Sequence, residues 1–535
     1  MNRLSKISVA ALAAFVVAGC VDLEIMNPNA ADAERALSTD TDIEALIGGG
    51  WRSWWNCSSS SNGPGPILMT MAYQHSATAA NFGMVEFSGW PKTAAHAAPS
   101  NVYYGNNVGY CWTQLYRGVS AVVDGLKALE GGAVTLPADR LARVNAFGYF
   151  VLGLAHGSAA LLYDQGYIYD PTISVDDVSL QPHGDVMTAA LGYLDQAIAA
   201  ASGQSFTIPG TWMSRDVSAA ELARLAYSYK ARFRANVART PTERAAVNWA
   251  SVIADVDKGI TETWEVDVRS ATGFSSGTLV NIHRYGAWGQ LTYQVLGMAD
   301  GSGQYQKWLA LPPDSRHPNL SVDQTSDPFL IITPDTRFPQ GADRETQSAA
   351  ANRGSLFHIY TGTGGYSVGW LRPDRGTFRW SYYRYHAQDM WLSSVTRTDQ
   401  PEFTLAEARL LKAEGLLRTG SQGGAAAIVN ETRTAAGLNA TDAAGTNTSC
   451  VPKLPSGQCG SLLEMLKWEV RLETMYKGLN MAPWYFHGRG WGDLAEGVAL
   501  QLPAPGRELE ILGMPSYTFG GPGGESAAPV GTYGY

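Results

Sequence analysis

The stretch "FTLAEARLLKAEGLLRTG" (residues 403–420), followed by "AAAIVNETRTAAGL" (residues 425–438), decides the fold of this chain. Both runs are rich in alanine and leucine, and Gly420 lies between them. They predict two helices, Glu402–Thr419 and Gly424–Ala436, which a turn connects. Two helices of this length, with small residues for close contact, indicate a stacked helix–turn–helix unit of the kind found in helical repeats.

Helical periodicity also extends through the first half of the chain. Cys111–Leu129 places Leu115, Val119, Val122 and Leu126 at spacings of four, three and four, which is the apolar stripe of an amphipathic helix. Prolines between such segments end one helix before the next begins. The further predicted helices are Arg140–Tyr163, Asp185–Ala201, Ser218–Val237, Arg244–Ile260 and Ser461–Gly478.

Two regions lack this periodicity. Residues 51–109 read as loops around a short helical stretch at Leu68–Ala80, and residues 265–400 are rich in Gly, Pro and aromatic side chains. The predicted fold is therefore mainly α, a tetratricopeptide-like superhelix of helical pairs with a loop-rich irregular subdomain. The strict tetratricopeptide consensus is absent, so an ordinary irregular helical domain stays open on the patterns alone.

The N-terminus reads as an export signal. Arg3 and Lys6 precede an apolar run from Ile7 to Ala18, which is too short to span a bilayer as a helix. Val17-Ala18-Gly19-Cys20 resembles the lipobox of bacterial lipoproteins, in which the cysteine sulfur receives a diacylglycerol. We expect residues 1–19 to be a signal peptide, Cys20 to be the lipid attachment site and residues 20–40 to be a tether. An ordinary secretory signal that contains a cysteine is the alternative.

Five cysteines leave one unpaired in an exported protein, and lipidation of Cys20 accounts for it. The other four can form disulfides in an oxidising compartment. Cys450 and Cys459 are close in sequence and flank a turn-forming segment, which leaves Cys57 to pair with Cys111. Sequence alone does not fix this connectivity.

Composition excludes several classes of partner. The formal net charge is −9 and basic runs are absent, so nucleic acid is not an expected ligand. The nine histidines show no metal-ligand spacing, and neither a C-x-x-C motif nor a phosphate-binding glycine loop occurs. No cofactor is expected. Asp170, Asp176 and Asp177 could hold calcium in a loop, but aspartates in such positions also cap helices.

Several segments together resemble the SusD/RagB family of outer-membrane nutrient-binding lipoproteins. The helical pair quoted first is similar to the strongest signature of that family, and the lipobox fits it. "CWTQLYRGVSAVVDGL", "ARVNAFGYFVLGLAHGSAALLYDQG" and "LLEMLKWEVRLETMYKGLNMAPWYFHGRG" are similar to further family segments, in the expected order. The last of these departs from the family pattern around Trp468–Arg471, which indicates a distant branch.

The resemblance implies both an architecture and a role. The helical scaffold would contain four tetratricopeptide-like pairs, with an N-terminal helical region at 41–264, the irregular subdomain at 265–400 and a C-terminal region at 401–535. The protein would capture an oligosaccharide, or another nutrient, at the cell surface. It would deliver this ligand to a SusC-like TonB-dependent transporter in the outer membrane, without making or breaking a bond.

Sugar recognition needs flat rings and hydroxyl-binding polar groups on loops that a rigid scaffold holds. The stretch 89–112 and the later stretch 284–308 supply such residues, and each ring could instead fill the core. The expected ligand-binding residues are Trp90, Asn101, Tyr103, Tyr104, Trp288, Tyr293 and Trp308. The dense "WSYYRYHAQDMW" (residues 380–391) is interpreted as a buried strand or an interface.

Two other classes of protein remain open. Glu469 and Glu473 share a helical face and could serve a glycosidase, although Arg471, Arg433 or Arg489 could neutralise them structurally. Gly273-Phe274-Ser275-Ser276-Gly277 matches a serine-hydrolase string but lacks the expected following helix. A periplasm-facing helical scaffold for protein partners is the second alternative.

Overall fold

The computed structural model describes residues 37, 39–77, 82–89, 91–96, 102–269, 273–274, 290–312, 329–359, 381–385 and 399–521; the side chains of residues 96 and 102–106 are not among them. The helices of these residues are α1 (Asp40–Ser59), α2 (Gly65–Met71), α3 (Met84–Ser88), α4 (Val102–Glu130), α5 (Ala138–Leu162), α6 (His183–Ala201), α7 (Gly210–Met213), α8 (Ala219–Asn236), α9 (Pro241–Ala245), α10 (Trp249–Asp257), α11 (Tyr293–Leu296), α12 (Gln304–Leu309), α13 (Arg344–Ser348), α14 (Leu405–Arg418), α15 (Gln422–Ala435), α16 (Leu462–Glu473), α17 (Pro483–Trp491) and α18 (Gly506–Ile511). The strands are β1 (Ala95–His96), β2 (Gln165–Tyr167), β3 (Leu180–Pro182), β4 (Thr207–Ile208), β5 (Val217–Ser218), β6 (Trp264–Asp267), β7 (Phe357–Ile359), β8 (Tyr383–Tyr385), β9 (Asp399–Phe403) and β10 (Thr518–Phe519).

Long helices pack on their neighbours along the chain and form the scaffold. The contacts run from α1 to α4, α5, α6, α8 and α10, and then to α14, α15 and α16. The two predicted pairs, α6 with α8 and α14 with α15, are both in contact. The prediction of a mainly α fold is confirmed. By length and composition α5 could span a membrane, but most of it is buried inside the protein.

The prediction of loops across residues 51–109 is wrong for its first part, where α1 reaches Ser59. Thr39 caps this helix by accepting a hydrogen bond from Asp42 N. Its buried face carries Ile43, Ile47 and Trp51 at four-residue spacing. A Cβ added to Gly50 would lie 2.7 Å from Val122 Cγ2, so this glycine lets α1 approach α4 closely. Close packing thus overrides the poor helix propensity of three consecutive glycines.

Two helix boundaries also differ from the prediction. Arg244–Ile260 is not one helix, because Asn248 accepts from Ser251 N and starts α10 after the short α9. The predicted helix Ser461–Gly478 stops at Glu473, and the backbone turns left-handed at Tyr476 (φ 58°) and Gly478 (φ 63°). Local caps and positive φ angles therefore set these ends, rather than apolar periodicity.

The irregular region begins and ends at one antiparallel strand pair, in which β6 pairs with β9. Within the described part of residues 265–400, helices are at most six residues long. The strand β8 is buried and pairs with β7, which agrees with the buried strand expected for the dense aromatic stretch. The remainder of that stretch lies outside the described residues.

A buried ion pair joins α8 to the entry of α14. Arg232 Nη2 lies 2.6 Å from Glu407 Oε2, and Arg232 Nη1 lies 3.3 Å from Glu402 Oε1. Burial raises the pKa of Glu402 to about 7, although Arg232 partly opposes this shift. One guanidinium therefore faces two carboxyl groups, of which Glu402 holds its proton more tightly in the folded chain than in the unfolded chain.

Glu402 should make stability fall as pH rises from about 5 to about 7, since the folded state binds the extra proton in this window. Glu402→Gln removes that titration. We expect the stability of this variant, relative to the unchanged protein, to improve progressively between pH 5 and pH 8. Urea unfolding at four pH values measures the difference, and a difference that does not vary with pH would contradict the assignment.

Candidate functional site

The residues that follow α2, Tyr73–Ser76, are called the anchor segment here. They run antiparallel to residues 290–292, with a bridge between His75 and Leu291. Ser76 N donates to Gln290 O at 2.9 Å, and Thr292 Oγ1 donates to Tyr73 O. Residues 290–292, which follow Trp288 in the sequence, are thus fixed to the anchor segment.

The residues on both sides of position 90 contact the same segment. The Tyr73 hydroxyl donates to Gly89 O at 3.0 Å. On the other side of position 90, Lys92 Nζ lies 3.1 Å from the centre of the Tyr73 ring and donates to Phe87 O at 3.0 Å. Burial lowers the pKa of Lys92 well below its usual value. The residues on both sides of position 90 therefore contact Tyr73.

Backbone strain is concentrated around the anchor segment. Tyr73 has φ 52° and Tyr476 has φ 58°, and Leu479, Asn480 and Met481 also have positive φ angles. Tyr476 contacts the anchor segment through its hydroxyl, 3.3 Å from His75 Nδ1, and Met481 O accepts from Gln74 Nε2 at 3.4 Å. Residues other than glycine adopt such angles at a cost of about 1–3 kcal/mol each, and they cluster at functional sites.

The anchor segment is polar, electrically neutral and buried. Gln74, His75 and Ser76 are fully buried. Burial lowers the pKa of His75 to about 3, so its imidazole is neutral at physiological pH. The arrangement offers amide and imidazole groups for hydrogen bonding, but no general acid or base that titrates near pH 7.

The sequence-predicted ligand residues fall into three groups. Trp90, Asn101 and Trp288 lie outside the described residues. Tyr103 and Tyr104 are in the first turns of α4 rather than in a loop, because this helix begins nine residues earlier than predicted; their side chains are not described. Tyr293 and Trp308 are buried core residues, 0% and 4% exposed, with ring centres 5.6 Å apart. Their apolar surfaces are already used in packing.

Both predicted disulfides are confirmed. Cys57 at the end of α1 is bonded to Cys111 in α4, and Cys450 is bonded to Cys459. Asn107, four residues before Cys111, donates from Nδ2 to Gly63 O and Phe82 O, so the first part of α4 is joined to the residues that precede α2 and α3. Cys20 lies outside the described residues, so its lipidation stays a prediction.

The carboxylates Glu469 and Glu473 form a structural ion cluster. Arg337 Nη1 lies 2.7 Å from Glu469 Oε2 and 2.9 Å from Glu473 Oε1. The expected neutralising residues were Arg471, Arg433 or Arg489, so the structure confirms the pairing and corrects the partner. Arg433 instead donates to Asn439 O and Val451 O, and Arg489 donates to Leu161 O and Leu500 O. Ser275 lies outside the described residues.

The described part of the chain contains no group of three His, Cys, Asp or Glu side chains that could hold a metal ion. Asp170, one of the calcium candidates, accepts from Thr172 N and from the Tyr193 hydroxyl, both at 2.8 Å. This carboxylate stabilises the turn before α6.

A cavity of about 380 Å³ opens on the scaffold between the start of α6 and the end of α8. His183, Arg234, Glu243 and Asn248 give it a polar edge, and Met187 and Leu191 are among its apolar lining residues. Arg234 Nε donates to Asp255 Oδ2 at 2.8 Å. No residue of the anchor segment lines this cavity.

Comparison with solved structures identifies the fold of this chain. A SusD homolog from Parabacteroides distasonis ATCC 8503 superimposes with a TM-score of 0.55, at 11% identity, over 88% of this chain and 93% of that chain. This chain has the SusD-like fold. A SusD-like protein from Bacteroides fragilis NCTC 9343 gives a TM-score of 0.49 at 16% identity, over 86% and 88% of the two chains. Surface glycan-binding protein A from Bacteroides uniformis gives 0.47 at 14% identity, over 84% and 89%.

No protein-family model matches the sequence. The search of curated proteins also finds no match. The structural superposition, rather than a sequence match, thus confirms at the level of the fold the SusD-like resemblance that the short motifs indicated. Sequence reasoning missed the anchor segment, because Gln74-His75-Ser76 matches no motif and its partner Gln290 is 214 positions away from Ser76.

Proposed function

We propose that this protein is a surface-exposed lipoprotein of the outer membrane that captures a nutrient ligand, an oligosaccharide, and delivers it to a SusC-like TonB-dependent transporter. The observation that carries this proposal is that one segment holds a residue next to Trp90 and a residue close to Trp288 in the sequence. Gly89 O accepts from Tyr73, and Gln290 O accepts from Ser76, three residues further along the same segment.

Shared attachment supports a single ligand site. A segment that holds residues adjacent to Trp90 and to Trp288 in the sequence restricts how far these two rings can separate, and binding residues are commonly presented from a scaffold in this way. Trp90 directly follows Gly89, and Trp288 lies two residues before Gln290. We infer that these two rings form opposing faces of a sugar-binding site, with Asn101, Tyr103 and Tyr104 at its edge.

The N-terminal sequence supports the location. Lipidation at Cys20 would tether the fold, which begins at α1, to the membrane through the intervening segment. The acidic residues Asp22 and Glu24 after the cysteine resemble those of surface-exported lipoproteins. Recovery of a TonB-dependent barrel together with this protein from solubilised outer membranes tests the partnership.

The hydrolase alternative is less well supported by the described residues. The carboxyl group of Glu469 is buried, and burial raises its pKa while Arg337 opposes this shift. A guanidinium held between Glu469, Glu473 and Asp335 leaves Glu469 occupied by a permanent ion pair. The described residues contain no feature that favours the protein-scaffold alternative over ligand capture.

A binding screen tests the proposal directly. The protein is titrated with a panel of oligosaccharides and peptides, with tryptophan fluorescence and then calorimetry as readouts, and the products are analysed in parallel. Saturable oligosaccharide binding without turnover is the expected result. Turnover would replace the proposal with an enzyme, and silence across the panel would favour the protein scaffold.

Trp90→Ala and Trp288→Ala should each weaken oligosaccharide binding by about thirtyfold, the effect of removing a central aromatic contact worth about 2 kcal/mol. Their melting temperatures should stay close to that of the unchanged protein. Calorimetry measures the affinity, and circular dichroism measures the melting temperature.

Trp308→Ala is the contrasting variant, because this ring is buried against Tyr293 and Tyr305. We expect it to lower stability by about 3–5 kcal/mol, as for other large-to-small core substitutions. Unchanged affinity in both Trp90→Ala and Trp288→Ala would reject the two-ring site.

A further inference from the structure

The cavity between α6 and α8 combines an apolar wall with one cation and one anion. Its volume, about 380 Å³, lies at the lower end of the range of about 300–1,000 Å³ that is typical of small-molecule sites. Met187, Leu191 and Val247 belong to the apolar wall, and Arg234 and Glu243 carry the two charges. The cavity is therefore suited to a small ligand that is partly apolar and partly charged.

Arg234 has hydrogen-bond donors that the fold does not use. Its Nε atom donates to Asp255 Oδ2 at 2.8 Å, whereas its two Nη atoms make no hydrogen bond to a described residue. The bond to Asp255 holds the side chain in place at the cavity. A guanidinium with both terminal nitrogens available is suited to a carboxylate, which it can bind through two parallel hydrogen bonds.

Two buried cations behind the cavity wall strengthen the preference for a carboxylate. Arg239 and Arg489 are 3% and 1% exposed and donate to backbone carbonyl groups, and neither forms an ion pair with a carboxylate that the structure describes. Burial and the nearby Arg489 lower the pKa of Arg239 to about 9, so it stays charged at pH 7. Burial, and then both arginines, lower the pKa of the lining residue His183 to about 4, which places positive charge close to this wall.

Glu243 supplies an acceptor of the opposite charge. Its Oε2 atom accepts from Arg239 N at 2.6 Å, and its Oε1 atom has no hydrogen-bond partner within the described part of the chain. The backbone that carries it is fixed, because Thr240 caps α9 by accepting from Glu243 N at 3.2 Å. A carboxylate held in this way, with one oxygen available, is an acceptor for an ammonium group.

From these groups we propose that the cavity is a second ligand site, which binds a free α-amino acid with an apolar side chain. The carboxylate of the amino acid binds Arg234, its ammonium group binds Glu243, and its side chain packs on the apolar wall. A neutral sugar would use neither charge. No residue of the anchor segment lines the cavity, so this inference goes beyond the proposed function and does not depend on it.

Two sets of probes with matched shapes test the charge pairing. Leucine has both charges, 4-methylpentanoate lacks the ammonium group and 3-methylbutylamine lacks the carboxylate. Phenylalanine, 3-phenylpropanoate and 2-phenylethylamine form the larger set. Each probe is titrated into the full chain in mild detergent, and calorimetry measures the affinity. We expect saturable binding of at least one amino acid, about tenfold tighter than binding of either of its analogues.

Two results of this titration would overturn the inference. Binding of neither amino acid would mean that the cavity is not an amino-acid site. Equal affinity for an amino acid and for one of its analogues would mean that only one of the two charges is recognised.

Glu243→Gln then tests the location of the site. The amide keeps an oxygen for Arg239 N but loses the charge, so affinity for the amino acid should fall about tenfold while affinity for its carboxylate analogue stays unchanged. Arg234→Met should instead weaken binding of the amino acid and of the carboxylate analogue alike. Unchanged affinity for the amino acid in both variants would overturn the inference, because the ligand would then lie elsewhere.

Glu221→Gln is the matched control. Glu221 is also a carboxylate in the first turn of a helix, α8, and it accepts from Arg215 Nη2 at 3.1 Å, but it does not line the cavity. This variant should keep full affinity for the amino acid. Equal losses of affinity in Glu221→Gln and Glu243→Gln would overturn the inference as well, since the effect would follow from the net charge of the protein rather than from the cavity.

Discussion

Arg337→Met is expected to lower the free energy of unfolding by about 3–5 kcal/mol, the range for removing one partner of a buried ion pair. The Arg337 guanidinium holds Glu469 at 2.7 Å and Asp335 at 2.8 Å. Both carboxylates are fully buried. Without the guanidinium they would have to remain as uncompensated charges or take up protons, and either outcome favours the unfolded chain.

The contacts of Arg337 also connect two parts of the chain that are distant in sequence, which adds to the expected loss of stability. Asp335 and Arg337 belong to the irregular region, whereas Glu469 lies in α16 of the helical scaffold. Trp468 Nε1 also donates to Asp335 Oδ2 at 3.2 Å, so the same carboxylate is shared between a guanidinium and an indole. Loss of Arg337 should therefore loosen the irregular region from α16.

Urea unfolding at pH 7 measures the change, and Arg409→Met is the matched control. Arg409 pairs with Glu431 at the surface, where both side chains are more than 40% exposed. Exposed pairs contribute about 0–1 kcal/mol. Similar effects of the two substitutions would mean that the Arg337 cluster is not the connection described.

Helical pairs could be predicted from the sequence because their signals are local. The run around residues 405–435 has helix-forming residues, a capping Thr404 and a turn at Gly420, and all of these act within a few residues. Asn430 and Arg433 of the second quoted run also have local roles: Asn430 bonds to the backbone of Thr441, and Arg433 bonds to Asn439 O. They shape the segment that follows α15.

Apart from the Cys57–Cys111 disulfide, contacts between distant segments could not be predicted. The helix α1 depends on the fit of Gly50 against Val122, and the partner of Glu469 is 132 residues away. The anchor segment is likewise defined by residues 214 positions apart, Ser76 and Gln290, which no periodicity relates. Tyr293 and Trp308 were expected in the site because aromatic rings suit both sugar faces and cores, and only the tertiary structure distinguishes the two.

The double substitution Cys57→Ala with Cys111→Ala should also lower the free energy of unfolding by a large amount. In the chain-entropy model a disulfide across a separation of 54 residues contributes about 4 kcal/mol, against about 3 kcal/mol for the separation of nine between Cys450 and Cys459. Alanine is used because Cys57 and Cys111 are buried, and a hydroxyl would add an unpaired polar group.

Ligand affinity should separate the two disulfides more clearly than stability does. Cys111 fixes α4, whose first turns carry Tyr103 and Tyr104, and Cys57 O lies 3.5 Å from Asn480 Nδ2 in the strained turn next to the anchor segment. Loss of this disulfide should therefore weaken oligosaccharide binding as well as lower the melting temperature. Cys450→Ala with Cys459→Ala should lower only the melting temperature, because the loop that this disulfide bridges contacts Met298 O through Lys453 N and includes no residue of the anchor segment. Calorimetry below the melting temperatures of the two variants measures whether removal of each disulfide changes the affinity for the oligosaccharide. Equal affinities would mean that the Cys57–Cys111 disulfide stabilises the fold without shaping the ligand site.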